Sequence, residues 1–259
     1  MAVTKIDMVI DDALREYIPL AMGDALPIPH SSTPIASIDL ASMIDHTALR
    51  PETTPPDIER LCTEALRFHF ASVCINPSYV ALAARLLQGS AVRVCTVIGF
   101  PLGATSTAAK RAEAEQALAD GADELDMVLH AGKLREKNYP YLEQDITTIV
   151  GSGGHYRAVV KVILETCLLS DEEKIIACAI SKHCGADFVK TSTGFGKNGA
   201  TTGDVTLMRR VVGPVMGVKA SGGIRNRADA LAMVRAGANR IGTSAGVIIV
   251  SGESVEQKH

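Results

Sequence analysis

Three lysines stand inside apolar runs that read as short buried strands. Lys161 lies in Val159-Val160-Lys161-Val162-Ile163, Lys190 in Phe188-Val189-Lys190, and Lys219 in Gly217-Val218-Lys219-Ala220. Lysine is disfavoured in strands and is almost never buried without a purpose. Taking an ammonium out of water lowers its pKa, and a second ammonium nearby lowers it further. An amine in that state attacks a carbonyl carbon and forms a Schiff base. Asp126 belongs to the same set. It lies in Glu124-Leu125-Asp126-Met127-Val128, where period-two alternation puts Glu124 and Asp126 on one face. Asp126, Lys161, Lys190 and Lys219 thus come from four consecutive strands and can converge. The competing reading is an internal salt-bridge network that supports the fold, because buried charges pair. Three lysines against so few acids leave a positive excess, which favours the catalytic reading.

Small, glycine-rich loops follow the later strands: Thr191-Ser192-Thr193-Gly194, Ser221-Gly222-Gly223, and Gly242-Thr243-Ser244-Ala245-Gly246. Small residues let backbone N–H groups approach an anion, and the helix N-termini that follow favour negative charge. The alternative for these glycines is turn geometry alone. Adjacent loops of this kind point to a phosphate site, to which Arg225 can add charge. His46 follows Asp45 at the end of the first strand, where a structural hydrogen bond and a substrate contact are equally compatible with its position. Cys74 ends the second strand and reads as a small core residue beside the site.

Positioning these groups requires alternating strands and helices. Strand-like runs fall at 42–45, 72–75, 93–98, 124–129, 158–164, 188–190, 217–220 and 240–242, with helical patterns between them. Ser170-Asp171-Glu172-Glu173 opens one helix with a capping-box pattern. Gly121-Ala122-Asp123, Gly185-Ala186-Asp187 and Gly237-Ala238-Asn239 recur before strands and mark quasi-repeated units. Eight such units predict an α/β fold, a closed (β/α)8 TIM barrel, rather than an open doubly wound sheet. No GxGxxG follows the first strand, which argues against a dinucleotide fold. Residues 38–250 are assigned to the barrel. Residues 1–37 form an N-terminal helical arm and a Pro- and Ser-rich linker, with Ile6, Val9, Ile10 and Leu14 on one side of a helix ending near Tyr17. Residues 251–259 form a polar tail.

Composition narrows the partners. The 259 residues are 47% hydrophobic, contain no Trp and carry a net charge of −3, so a basic surface for nucleic acid is not expected. The six cysteines lack a CxxC pair and read as reduced thiols of a cytoplasmic protein. Asp7, Asp11 and Asp12, without a long apolar run, argue against a signal peptide or membrane span. The seven histidines show no HxH or HExxH spacing, so neither a catalytic metal nor a cofactor is expected.

Six ordered segments now carry a resemblance. They are Met43-Ile44-Asp45-His46-Thr47, Val97-Ile98-Gly99-Phe100-Pro101-Leu102-Gly103, Gly121-Ala122-Asp123-Glu124-Leu125-Asp126, Lys161-Val162-Ile163-Leu164-Glu165-Thr166, Phe188-Val189-Lys190-Thr191-Ser192-Thr193-Gly194-Phe195, and Val218-Lys219-Ala220-Ser221-Gly222-Gly223-Ile224-Arg225. From about Ser37 to Ile249 the chain resembles the deoxyribose-phosphate aldolases, which are class I (Schiff-base) aldolases. The resemblance implies reversible cleavage of 2-deoxy-D-ribose 5-phosphate to acetaldehyde and D-glyceraldehyde 3-phosphate without a metal. It puts the Schiff base on Lys190, makes Lys219 its electrostatic partner, and makes Asp126 an acid/base group acting through water. Lys161 and Asp45 become supporting polar groups. Phosphate binding maps onto Gly194, Gly222, Gly223 and Ser244, whereas Phe195 and Ala245 replace polar phosphate contacts found in some relatives. The resemblance also implies sugar-phosphate and aldehyde partners and a homodimer or homotetramer. Without it, the alternative is another phosphate-binding barrel, such as a sugar-phosphate isomerase.

Overall fold

Short runs rich in Val and Ile form the strands, and their order along the chain is their order in space. The computed structural model describes residues 4–22 and 38–252. Its strands are β1 (Ile44–Ala48), β2 (Ser72–Ile75), β3 (Arg93–Ile98), β4 (Glu124–Val128), β5 (Val159–Ile163), β6 (Phe188–Lys190), β7 (Gly217–Ser221) and β8 (Arg240–Thr243). All pair in parallel with their sequence neighbours, and β8 pairs with β1 to close the barrel. The closed (β/α)8 architecture is therefore as expected. β1 starts two residues later than its apolar pattern suggested. Asp39 accepts from Ala41 N and Ser42 Oγ donates to the Asp39 carbonyl, each at 3.0 Å, and this turns Ala41–Met43 into a 3-10 helix. Local side-chain bonding of this kind competes with extended structure.

The helices are α1 (Lys5–Met22), α2 (Pro55–Phe68), α3 (Val80–Leu86), α4 (Thr107–Ala119), α5 (Ala131–Arg135), α6 (Tyr139–Tyr156), α7 (Asp171–His183), α8 (Thr202–Val212), α9 (Arg227–Arg235) and α10 (Gly246–Ser251). The capping box is present at α7: Ser170 Oγ accepts from Glu173 N, and Glu173 Oε2 accepts from Ser170 N. The repeated Gly-Ala-Asp/Asn turn has a physical cause. Gly121, Gly185 and Gly237 all take positive φ, and the acidic or amide side chain two residues on accepts the N–H near the start of the preceding strand. Asp123 binds Val94 N, Asp187 binds Val160 N, and Asn239 binds Val218 N, at 2.8–3.0 Å. Each turn thus ties β4 to β3, β6 to β5, or β8 to β7.

α1 packs mainly along α7 and also touches α6 and α8. Ile6, Ile10 and Ala13 are buried there, with Val9, Leu14, Tyr17 and Ile18 packed alongside. The helix continues to Met22, through Pro19, rather than ending near Tyr17. Residues 23–37 of the linker and 253–259 of the tail lie outside the described residues, whereas Ser251, assigned to the tail, is the last residue of α10. Among the described residues no helix is long and apolar enough to cross a membrane.

One buried ion pair braces the helical layer beside the upper ends of β3 and β4. Lys110 Nζ lies 2.5 Å from Asp145 Oδ2 and donates to the Val128 carbonyl at 2.9 Å, joining α4, α6 and β4. Both side chains are fully buried. Gly99, at φ +64°, leaves room for this lysine, because a Cβ there would meet Lys110 Cε at 2.9 Å. Lys110→Met would leave the Asp145 carboxylate unpaired in the interior. Loss of one buried partner costs about 3–5 kcal/mol, a fall in Tm on the order of 10 °C for a domain of this size. Thermal melting followed by circular dichroism checks this; an unchanged Tm contradicts it.

Candidate active site

Strand register decides which charges meet. Lys190 is paired with Lys219, Lys219 with Arg240, and Asp126 with Lys161 across neighbouring strands. Directly paired residues in a parallel sheet point to the same face, so these side chains enter the barrel together. Asp126 is at the centre. Its Oδ1 accepts from Lys161 Nζ at 2.8 Å, while its Oδ2 accepts from both Lys190 Nζ at 2.8 Å and Lys219 Nζ at 2.7 Å. Lys161 also reaches Glu124 Oε2, and Lys219 reaches Asp45 Oδ2, both at 2.5 Å. Below them Arg240 grips Asp45 and Glu124 with its guanidinium. Among the described residues this network holds Asp45, Glu124 and Asp126 against Lys161, Lys190, Lys219 and Arg240, so cations exceed carboxylates by one.

Burial and charge compete at each group. Burial alone raises the carboxyls of Asp126 and Asp45. Lys161, Lys190 and Lys219 outweigh it at Asp126, and Lys219, Arg240 and Lys161 outweigh it at Asp45, so both stay below the usual carboxylate range. Burial alone lowers Lys161 and Lys219. Asp126, with Cys95 and Glu124 for the first and Asp45 for the second, reverses this and holds both ammonium groups above the ordinary lysine value. Lys219 is therefore a fixed positive charge on the same carboxylate oxygen as Lys190.

A cleft of about 860 Å³ opens at the C-terminal ends of the strands. Of the four interior cations, only Lys190 lines it. Gly194, Gly222, Gly223 and Ser244 line the same cleft. Their backbone N–H groups donate to no protein acceptor among the described residues, whereas the neighbouring Phe195 and Ala245 N–H groups are taken by Thr193 Oγ1 and Thr243 Oγ1. Arg225 also lines the cleft and is exposed. Phe195 is half-exposed and meets Phe100 edge to face at 5.3 Å. A separate hollow of about 440 Å³, lined by Arg93 and Asp123 among others, contains none of these groups.

The structure brings together every interior residue expected from the sequence: Asp45, Asp126, Lys161, Lys190 and Lys219. It adds Arg240, which the sequence reading passed over although it opens an apolar strand just as the lysines interrupt theirs. His46 is buried with Nε2 2.6 Å from Glu64 and its ring edge-on to Phe70, which makes it a packed structural histidine at the cleft wall. Cys74 and Cys95 flank Asp126, with Cys95 Sγ 3.2 Å from Oδ1 and Cys74 Sγ 4.0 Å from Oδ2. These three could in principle ligate a metal, since their donor atoms lie within 4.8 Å of one another. The Asp126 oxygens are already held by three ammonium groups, which repel a further cation.

A closed parallel barrel with a buried amine at the floor of a cleft on its C-terminal face has the architecture of a barrel enzyme whose chemistry sits at that face. The chain belongs to the DeoC/LacD aldolase family, whose description matches residues 40–251. A deoxyribose-phosphate aldolase of Clostridium perfringens (strain SM101 / Type A) is 58% identical over 214 residues, 83% of this chain and 95% of that protein. A crystal structure of a Coccidioides immitis protein superposes with a TM-score of 0.88 at 42% identity, covering 97% of this chain and 98% of the other. The deoxyribose phosphate aldolase of Aeropyrum pernix, described as a unique tetramer, has a TM-score of 0.78 at 35% identity, with 94% and 96% covered.

The depressed carboxyls make stability depend on acid. Asp45 and Asp126 titrate lower in the folded chain than the usual 3.8. Their contribution is present above that value and is lost as pH falls below it towards the folded values. Lys219→Met raises the folded values of both, so it lowers stability at pH 7 and flattens the decline below about pH 4. Urea midpoints measured from pH 7 to pH 3 test this, and parallel curves for the two proteins would contradict it.

Proposed function

We propose that the chain catalyses reversible retro-aldol cleavage of 2-deoxy-D-ribose 5-phosphate to acetaldehyde and D-glyceraldehyde 3-phosphate, through a Schiff base on Lys190. The observation that carries this reading is that Lys190 alone among the interior cations reaches the cleft, while its amine rests on the same Asp126 oxygen as Lys219. Its close relatives named deoxyribose-phosphate aldolase support the substrate.

In this mechanism neutral Lys190 attacks C1 of the open-chain sugar. Loss of water gives an iminium ion that withdraws electrons from the C2–C3 bond. A base removes the C3 hydroxyl proton, the bond breaks, and glyceraldehyde 3-phosphate leaves. The enamine is protonated at C2 and hydrolysed to acetaldehyde. Asp126 serves as the acid/base group, acting through water, and Lys219 as its charged partner, while Lys161 and Asp45 hold both in place. The amides of Gly194, Gly222, Gly223 and Ser244 receive the 5-phosphate, with Arg225 beside them. Fixing the phosphate orients the C3 hydroxyl, so binding energy serves alignment. We read the protein as a cytoplasmic homodimer or homotetramer, a reading to which the tetrameric Aeropyrum pernix relative lends support; light scattering after gel filtration tests the assembly.

Incubation with deoxyribose 5-phosphate and sodium borohydride, followed by intact-mass spectrometry, tests the chemistry. The wild type gains a reduced two-carbon or sugar adduct, and Lys190→Ala gains none. Asp126→Asn is expected to melt lower, because it takes the shared carboxylate from three buried ammonium groups, and, measured where it is still folded, to lose about 10²–10⁴-fold in kcat, the usual worth of general acid–base help. A folded wild type without an adduct returns the lysines to a structural role.

A further inference from the structure

We propose that Glu165 is a positioning residue whose buried carboxylate clamps the loop after β6, and so presents the Gly194 amide to the substrate phosphate. The inference rests on the phosphate reading given above. Among the described residues, four non-glycine residues have positive φ: His69, Lys137, Arg157 and Glu165. The first three are exposed and stand at or near helix ends, whereas Glu165 is buried directly beyond the C-terminal end of β5. A left-handed backbone at a non-glycine residue is strained, and persists only where its surroundings hold it.

Its side chain explains what that backbone achieves. Both Glu165 oxygens accept from Thr193 N, at 3.3 and 3.4 Å, and Oε2 also accepts a short hydrogen bond from Thr193 Oγ1. Among the described residues no cation pairs with this carboxylate within salt-bridge distance, so Thr193 supplies most of its compensation, with Cys167 Sγ 3.8 Å from Oε1. A buried carboxylate without a cation is costly to retain unless its hydrogen bonds are needed. Thr193 Oγ1 in turn accepts from Phe195 N at 3.1 Å. Gly196 completes the contact, since a Cβ there would meet Glu165 Cδ and Oε1 at 3.1 Å and Cys167 Sγ at 2.9 Å.

The loop is thereby sorted amide by amide. Thr193 N is turned inward to Glu165 and Phe195 N is taken by Thr193 Oγ1. Gly194 N, between them at φ +87°, donates to no protein acceptor among the described residues, and Gly194 lines the cleft. Glu165 itself does not line the cleft. It acts through Thr193 and touches no reacting atom.

The test separates phosphate alignment from imine chemistry by comparing two substrates. Glu165→Gln keeps the shape but replaces one acceptor oxygen with a donor, and Thr193→Val removes the hydroxyl without touching the strained residue. In each variant KM for deoxyribose 5-phosphate is expected to rise about tenfold, as when one charge-assisted hydrogen bond is lost. On unphosphorylated 2-deoxyribose, kcat/KM is expected to change less than about twofold on the same energy scale. The double variant is expected to be no worse than either single one, because both break the same clamp. Equal losses on the two substrates, or additive losses in the double variant, would overturn the role. The borohydride adduct on wild type keeps the question separate from the reaction itself: with no adduct there, the Schiff-base reading fails, whereas an adduct with unchanged KM in both variants sinks only the Glu165 proposal.

Discussion

A closed barrel cannot hydrate what it encloses, and among the described residues the interior of this one holds seven charged side chains. Carboxylates and cations meet through contacts of 2.5–2.9 Å, and against desolvation these contacts keep Asp45 and Asp126 ionised and Lys161, Lys219 and Arg240 charged. The cations exceed the carboxylates by one among the described residues. Lys161, Lys219 and Arg240 are fixed by their partners. Lys190, at the upper end and open to the cleft, is the amine to which the proposed function assigns the imine.

The two ends of the cleft divide the work by physical type. At the floor, side-chain charges sit in a medium of low dielectric and their interactions are strong. At the rim, the groups offered are mostly neutral backbone amides on small residues, with Arg225 the exposed charge among them. In the function proposed above, such donors hold the substrate phosphate without adding to the positive excess below, so a chain with net charge −3 can still offer a local site for it.

Much of this was legible in the sequence, for reasons visible at particular residues. A lysine in an otherwise apolar strand contradicts local preference, so Lys161, Lys190 and Lys219 signalled themselves, and period-two alternation placed Asp126 on their side. Strands β2, β3 and β6 were delimited correctly because glycine, proline or polar residues bracket them. β1 was misplaced because its boundary depends on a turn made by the Asp39 side chain rather than on hydrophobic pattern. Arg240 was passed over because arginine at a strand's first residue also suits an exposed edge, and only the closure of β8 on β1 turns it inward. Glu165 gave no signal of its role: its partner lies 28 residues away, and its backbone conformation cannot be read from composition.

Barrels of this kind ordinarily separate their duties, with stability entrusted to one end and chemistry to the other. Arg240 removes that separation here. Its guanidinium opens β8 at the N-terminal end and remains partly exposed there, at 14% of its side chain. Through Asp45 and Glu124 it is linked by successive contacts to the lysines and to Asp126 beneath the cleft. The protein thus lacks an inert underside. A change made at the foot of this column therefore also reaches the proposed active site, so the residues that brace the barrel and those assigned to its chemistry cannot be altered independently.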